Sequence, residues 1–124
     1  MVDIVHRVEM HASPAEVFRA LTEHASGLSG WWARDGALVV KMRIAELREG
    51  ARVAWRCVEG PPDWVGTDIT FDLAPEGDET VVRFGHRNWR ETTDFMGHCS
   101  AKWAYFLFNL KSALETPEPD DLLI

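Results

Sequence analysis

Val8-Glu9-Met10-His11, then Ser13-Pro14-Ala15-Glu16-Val17-Phe18-Arg19-Ala20-Leu21-Thr22, then Gly30-Trp31-Trp32: this opening third of the chain decides the fold. Val8 and Met10 alternate with Glu9 and His11, the period-two pattern of a half-buried strand. Ser13 and Glu16 stand at capping-box spacing, in which each side chain satisfies a free backbone N–H at a helix start. Pro14 falls at the first helical position, where it has no hydrogen bond to lose. Val17, Ala20 and Leu21 supply an apolar helix face, and two adjacent tryptophans close the unit.

Downstream, Glu23 to Trp32 reads as a short helix or irregular segment ending at Gly30. A run of strands follows. Leu38–Leu47 carries Met42 and Ile44 in alternation, and Glu49-Gly50 is a turn. Arg52–Glu59 puts Val53, Trp55 and Cys57 on one face, before Gly60-Pro61-Pro62-Asp63 breaks the chain. Val65–Ala74 aligns Ile69, Phe71 and Leu73 against Thr70 and Asp72; Pro75-Glu76-Gly77-Asp78 turns again. Thr80–Arg87 alternates Val82, Phe84 and His86 against Val81, Arg83 and Gly85. Antiparallel strands with one wet face fit this pattern. Phe95–Glu115 then switches to a helical period, with Cys99, Trp103, Phe106, Leu107, Leu110 and Leu114 on one face. Pro117 and Pro119 stop it.

At 124 residues the chain is long enough to bury one real core and too short for two, so 1–124 is expected to form a single α+β domain. A net charge of −7 argues against nucleic acid, whose recognition needs clustered basic charge, and against adsorption to anionic membranes. No apolar run reaches the length of a membrane span, and Met1-Val2-Asp3-Ile4 opens no signal peptide. Cys57 and Cys99 lack metal-ligand spacing and read as buried free thiols in a reducing cytoplasm.

The strand, capped helix and Trp-Trp order resembles the START-like (SRPBCC, Bet v 1-like) helix-grip superfamily, in the branch of homologues of the activator of heat-shock protein 90 ATPase. Val53 to Pro61, Trp64-Val65-Gly66-Thr67 and Ile69 to Leu73 are similar to that family's central hairpin. His86-Arg87-Asn88-Trp89 is similar to the strand end before its long C-terminal helix. The resemblance implies a curved antiparallel sheet wrapped around that helix, short helices after strand one, and a pocket between them. One departure is visible. The family carries two strands between the Trp-Trp pair and the strand matching Leu38–Leu47, where this chain has only Ala33 to Ala37. A trimmed edge would open the pocket or expose a strand for pairing with another subunit.

Trp55, Phe71, Phe84, Trp103, Phe106 and Leu110 would fill the space between sheet and helix. Close packing reads them as core; the resemblance implies a hollow that they line, together with Val8, Met10 and Ile69. By strand parity His6 and His86 share the buried face. Because first and last strands pair antiparallel in a helix grip, the resemblance brings the two imidazoles close, either as polar anchors of a ligand or as two separately satisfied side chains. No third ligand at suitable spacing suggests a metal, and no glycine-flanked serine or phosphate loop suggests covalent catalysis or a nucleotide. Tyr105 and Phe108 lie off the core face beside Ala101, Ala104 and Ser112, a candidate contact patch for a homodimer.

The expectation is therefore a domain that binds, carries or senses a small, mostly apolar molecule without cofactor. Two rivals come with the resemblance: a polyketide-cyclase-like enzyme using His6 and His86 as acid and base, and a co-chaperone or regulator acting through protein contacts. The single small domain offers no second segment to clamp a partner, which weighs against the co-chaperone.

Overall fold

The computed structural model describes residues 1–23 and 41–115. The Trp31-Trp32 pair, the segment before it, the shortened stretch after it, the start of the Leu38–Leu47 strand and the Pro117/Pro119 stop lie outside the described residues. Within them the order is β1 (Val2–Met10), α1 (Pro14–Glu23), β2 (Lys41–Arg48), β3 (Arg52–Glu59), β4 (Asp68–Glu76), β5 (Glu79–Trp89) and α2 (Asp94–Leu114). The strands form one curved antiparallel sheet in the order β1-β5-β4-β3-β2, so the first and last strands do pair, with Val8 opposite Val82 and His6 opposite Phe84. Both helices lie on one face of it: α2 packs on β1, and α1 on β3, β4 and the flank of α2.

Local chemistry sets the boundaries. Glu16 N–H donates to Ser13 Oγ at 3.1 Å, the expected cap. The return bond differs from a full capping box, because Glu16 Oε1 accepts from the Ser13 hydroxyl rather than from its backbone N–H. The start of α2 is one residue earlier than its apolar period suggests. Thr93, with extended backbone, accepts from Met96 N–H at 3.1 Å and caps it.

Two strand limits also move. β4 begins at Asp68 rather than Val65, because the β3–β4 connection coils into turns: Trp64 N–H bonds Pro61 O at 2.8 Å, and Gly66 adopts a left-handed φ of 85°. At its far end β4 runs on through Pro75 and Glu76, leaving only Gly77-Asp78 as the turn, with Gly77 at φ 63°.

The inner face carries the core: Ile4, Val8 and Met10 from β1, Val53, Trp55 and Cys57 from β3, Ile69, Phe71 and Leu73 from β4, and Val82 and Phe84 from β5. Val17 and Leu21 of α1 and Met96, Cys99, Trp103 and Leu107 of α2 close over it. The outer face is laced by ions. Arg52 reaches Asp72 at 2.6 Å and Glu46 at 2.8 Å, Arg56 reaches Asp68 at 2.9 Å, and Arg87 reaches Asp3 at 3.2 Å. Asp68 and Asp72 thus belong to the solvated face, where such pairs contribute about 0–1 kcal/mol each.

Candidate functional site: a closed aromatic end and an exposed apolar edge

The interior has two unlike halves. At the end formed by the start of β1 and the end of β5, Trp64, Trp89, Trp103 and His86 are fully buried. The coiled β3–β4 connection folds Trp64 inward, where it stacks on Trp103 at 5.8 Å and meets His86 edge-on at 4.6 Å. The hydrogen bonds around it form a relay. Trp103 Nε1–H donates to His86 Nδ1 at 3.0 Å, so a neutral His86 carries its proton on Nε2 and donates to Thr67 Oγ1 at 2.8 Å. The Thr67 hydroxyl then donates to Trp64 O at 2.5 Å, and Trp64 Nε1–H reaches Cys99 Sγ at 3.4 Å.

Burial pushes the His86 pKa from 6.5 down to about 3, against a weaker upward pull from Asp68, so this imidazole is neutral at physiological pH. Burial likewise pushes Cys57 and Cys99 up to about 11, and both thiols are free. Trp89 Nε1–H is buried without an acceptor. Its ring sits edge-on to His86 at 4.9 Å, and an unmade bond of this kind costs ~1–3 kcal/mol that the aromatic packing must offset.

The expected pairing of the two histidines takes a different form. His86 stands opposite Ile4 in the ladder, while His6 stands opposite Phe84 and stacks on it at 6.0 Å. The polar contacts of His6 go to α2, with Nε2 at 3.1 Å from Ser100 O and 3.2 Å from Ser100 Oγ. A carbonyl only accepts, so Nε2 carries the proton and is not placed to act as a base toward the Ser100 hydroxyl. His86 is walled off from solvent and hydrogen-bonded at both nitrogens. The two imidazoles are separately satisfied, with different partners.

The other half is looser. Phe106 and Leu110 on α2, Phe18 on α1 and Met42 on β2 are only partly buried against the core. Met42, Ile44 and Leu47 stand opposite Cys57, Trp55 and Val53, so all three turn to the inner face, with bulges beside Met42 and after Ile44 absorbing the register shifts. Yet Ile44 is 60% exposed and Leu47 45%. An aromatic path connects the helix to this edge: Phe106 meets Phe71 at 6.4 Å, Phe71 meets Trp55 at 5.2 Å, and Ile44 is Trp55's cross-strand neighbour.

Of the side chains that the sequence nominates for a ligand, Met10, Ile69, Phe71, Phe84, His86 and Trp103 have no accessible surface, and Val8 and Trp55 have little. His6, Phe106 and Leu110 keep part of theirs. Four apolar side chains of this half lie outside that nomination: Phe18, Met42, Ile44 and Leu47. Leu47 closes an alternation that a bulge interrupts, and Phe18 lies one position off the Val17–Leu21 stripe. The packed Trp64 also lies outside it, although a tryptophan set between Gly60-Pro61-Pro62 and Gly66 is itself a signal of a folded-in loop.

A helix-grip domain is what this sheet, capped helix and long C-terminal helix define. The Aha1 dimer from Colwellia psychrerythraea is 40% identical and superposes with a TM-score of 0.76, over 93% of this chain and 97% of that one. The chain belongs to the Aha1 (activator of Hsp90 ATPase homologue) family of helix-grip proteins. Protein MLL2253 from Mesorhizobium loti, 16% identical, shares the fold at a TM-score of 0.79, over 94% of this chain and 99% of that one. CalU16 from Micromonospora echinospora, 19% identical, does so at 0.67, over 97% and 79%. No family model and no curated protein matches the sequence. No helix among the described residues is long and apolar enough to cross a membrane.

Proposed function

We propose that this chain is a single-domain binding protein that holds a small, mostly apolar molecule in the groove between α2 and the β2–β3 edge. One observation carries this reading: large apolar side chains on the inner face, Ile44 and Leu47 above all, are left exposed while the opposite end of the same interior is packed shut. Apolar surface on a concave face gains ~25 cal/mol for each Å² that a ligand covers. The ligand would rest on Phe106, Leu110, Met42 and Phe18, over Trp55 and Phe71. Val8, Met10, Ile69, Phe84 and Trp103 would support the floor from behind, and His6 would be the nearest half-buried polar group. A binding role is favoured over a cyclase because His86 is buried with both nitrogens hydrogen-bonded, and His6 Nε2 donates to the Ser100 carbonyl instead of activating its hydroxyl. Two buried free thiols support a cytoplasmic setting.

The test uses a fluorescent apolar dye and a medium-chain fatty acid competing for it. Phe106→Ser and Leu110→Ser should each weaken dye binding at least tenfold while the fold persists by circular dichroism. Equal affinity in wild type and both variants would refute the groove.

A second reading, that the protein works as a homodimer, is favoured by the dimer named for the 40% identical neighbour. Tyr105 and Phe108, 60% and 57% exposed on α2, are one candidate contact, and the β2 edge is the other. Sedimentation of wild type beside Phe108→Glu decides between them: a dimer that dissociates in the variant uses the helix, and one that persists uses the edge.

A further inference from the structure

His11, Asp78 and Glu79 meet at the other end of the sheet from His86, brought together from distant parts of the chain. The β1–β5 ladder ends at Met10 opposite Thr80, so His11 and Glu79 are the next positions outward on the two strands. Thr80 Oγ1 donates to Ala12 O at 2.6 Å and fixes the chain just past His11. The β4–β5 hairpin closes with Glu76 opposite Glu79 around Gly77-Asp78, which holds Asp78 beside Glu79 at the turn. One potential ligand atom from each of the three side chains lies within 4.8 Å of the other two. They line a cleft of about 450 Å³ whose lining also includes Ser13 and Glu16 from the start of α1.

We propose that this cleft binds a divalent transition-metal ion, Zn²⁺ or Mn²⁺, through the His11 imidazole and the Asp78 and Glu79 carboxylates. An imidazole with two carboxylates is a nitrogen–oxygen donor set suited to these ions, neutral at the metal once two carboxylate charges meet a 2+ cation. Donors bound at about 2.0–2.2 Å stand about 3–3.6 Å apart, so the site closes by small rotations. His11 and Asp78 are exposed and free to make them. A plain ion pair explains less of the arrangement. His11 Nε2 lies 3.8 Å from Glu79 Oε1, outside hydrogen-bond reach, and a pair leaves Asp78 without a role. Three protein ligands on one side leave the remaining coordination positions open toward the cleft, where water or a small carboxylate can bind.

The experiment titrates the full chain with ZnCl₂ by calorimetry and with MnCl₂ by NMR line broadening. One Zn²⁺ per chain is expected, with Mn²⁺ broadening centred on His11 and on residues 77 to 80. His11→Ala and Asp78→Asn should each weaken Zn²⁺ binding at least tenfold, and His98→Ala, an exposed histidine near the start of α2, should change it less than twofold. Because His11 and Asp78 lie at the surface, unchanged melting of the metal-free variants keeps the comparison clean. Absence of saturable binding up to millimolar metal, or equal losses in the His98 and His11 variants, would overturn the site.

Discussion

Acid should unfold this protein partly through one residue, His86. In the fold its pKa lies at about 3 because burial disfavours the charged ring; in the unfolded chain it returns to about 6.5. Between those values the unfolded state binds a proton that the native state does not. Stability is therefore fully present above pH 6.5 and is lost as pH falls toward 3. At 1.36 kcal/mol per pH unit the whole span is about 5 kcal/mol, and the part lost between pH 7 and pH 5 is about 2 kcal/mol. The comparison variant is His86→Gln, whose amide can still accept from Trp103 and donate to Thr67 but does not titrate. Urea melts at pH 7, 6 and 5 measure both slopes, so the variant's own loss of absolute stability does not matter. Wild type should lose about 2 kcal/mol more than the variant over this range. Glu115 adds nothing here: burial raises its carboxyl, but hydrogen bonds from Lys111 and from His11 N–H outweigh that and hold it below 4.5. Parallel slopes for the two proteins, or an NMR titration of His86 near 6.5 in the folded state, would refute the reasoning.

Trp64→Ala should cost about 3–5 kcal/mol in chemical denaturation, since it empties the centre of the aromatic end and removes the indole that meets His86 and donates to Cys99 Sγ. Ser13→Ala and Thr93→Ala should each cost about 1 kcal/mol through loss of a helix cap, with the exposed Ser112→Ala near zero in the same melts. Gly77→Ala should destabilise by about 1 kcal/mol, because an L side chain is strained at φ 63° although the space around it is open.

Sequence periodicity located every described strand and both helices because each carries one apolar face, which all but β2 bury. Val53-Trp55-Cys57 and Ile69-Phe71-Leu73 cannot alternate by accident on a sheet with one wet side. The errors fell where local hydrogen bonds overrule periodicity. Val65 reads as strand yet sits in a turn 49% exposed, because Pro61 O and the left-handed Gly66 coil the chain there. The site was harder to read. Parity put His6 and His86 on the right face, but register decides neighbours, and Ile4 rather than His6 stands opposite His86. Alternation likewise cannot tell a filled interior from a hollow one: Phe84 and Ile44 carry the same signal, and one is fully buried while the other is mostly exposed. The His11–Asp78–Glu79 cluster left no trace in sequence spacing, since its members meet only through strand pairing.

The most direct test of the groove is a ¹³C-methyl and aromatic NMR titration of the full chain with a medium-chain fatty acid. Saturable shifts should appear at Met42, Ile44, Leu47, Phe106 and Leu110, with the ring signals of His86, Trp64 and Trp103 nearly unmoved. Saturable shifts centred on His86 and Trp103, or none anywhere at millimolar ligand, would contradict the account.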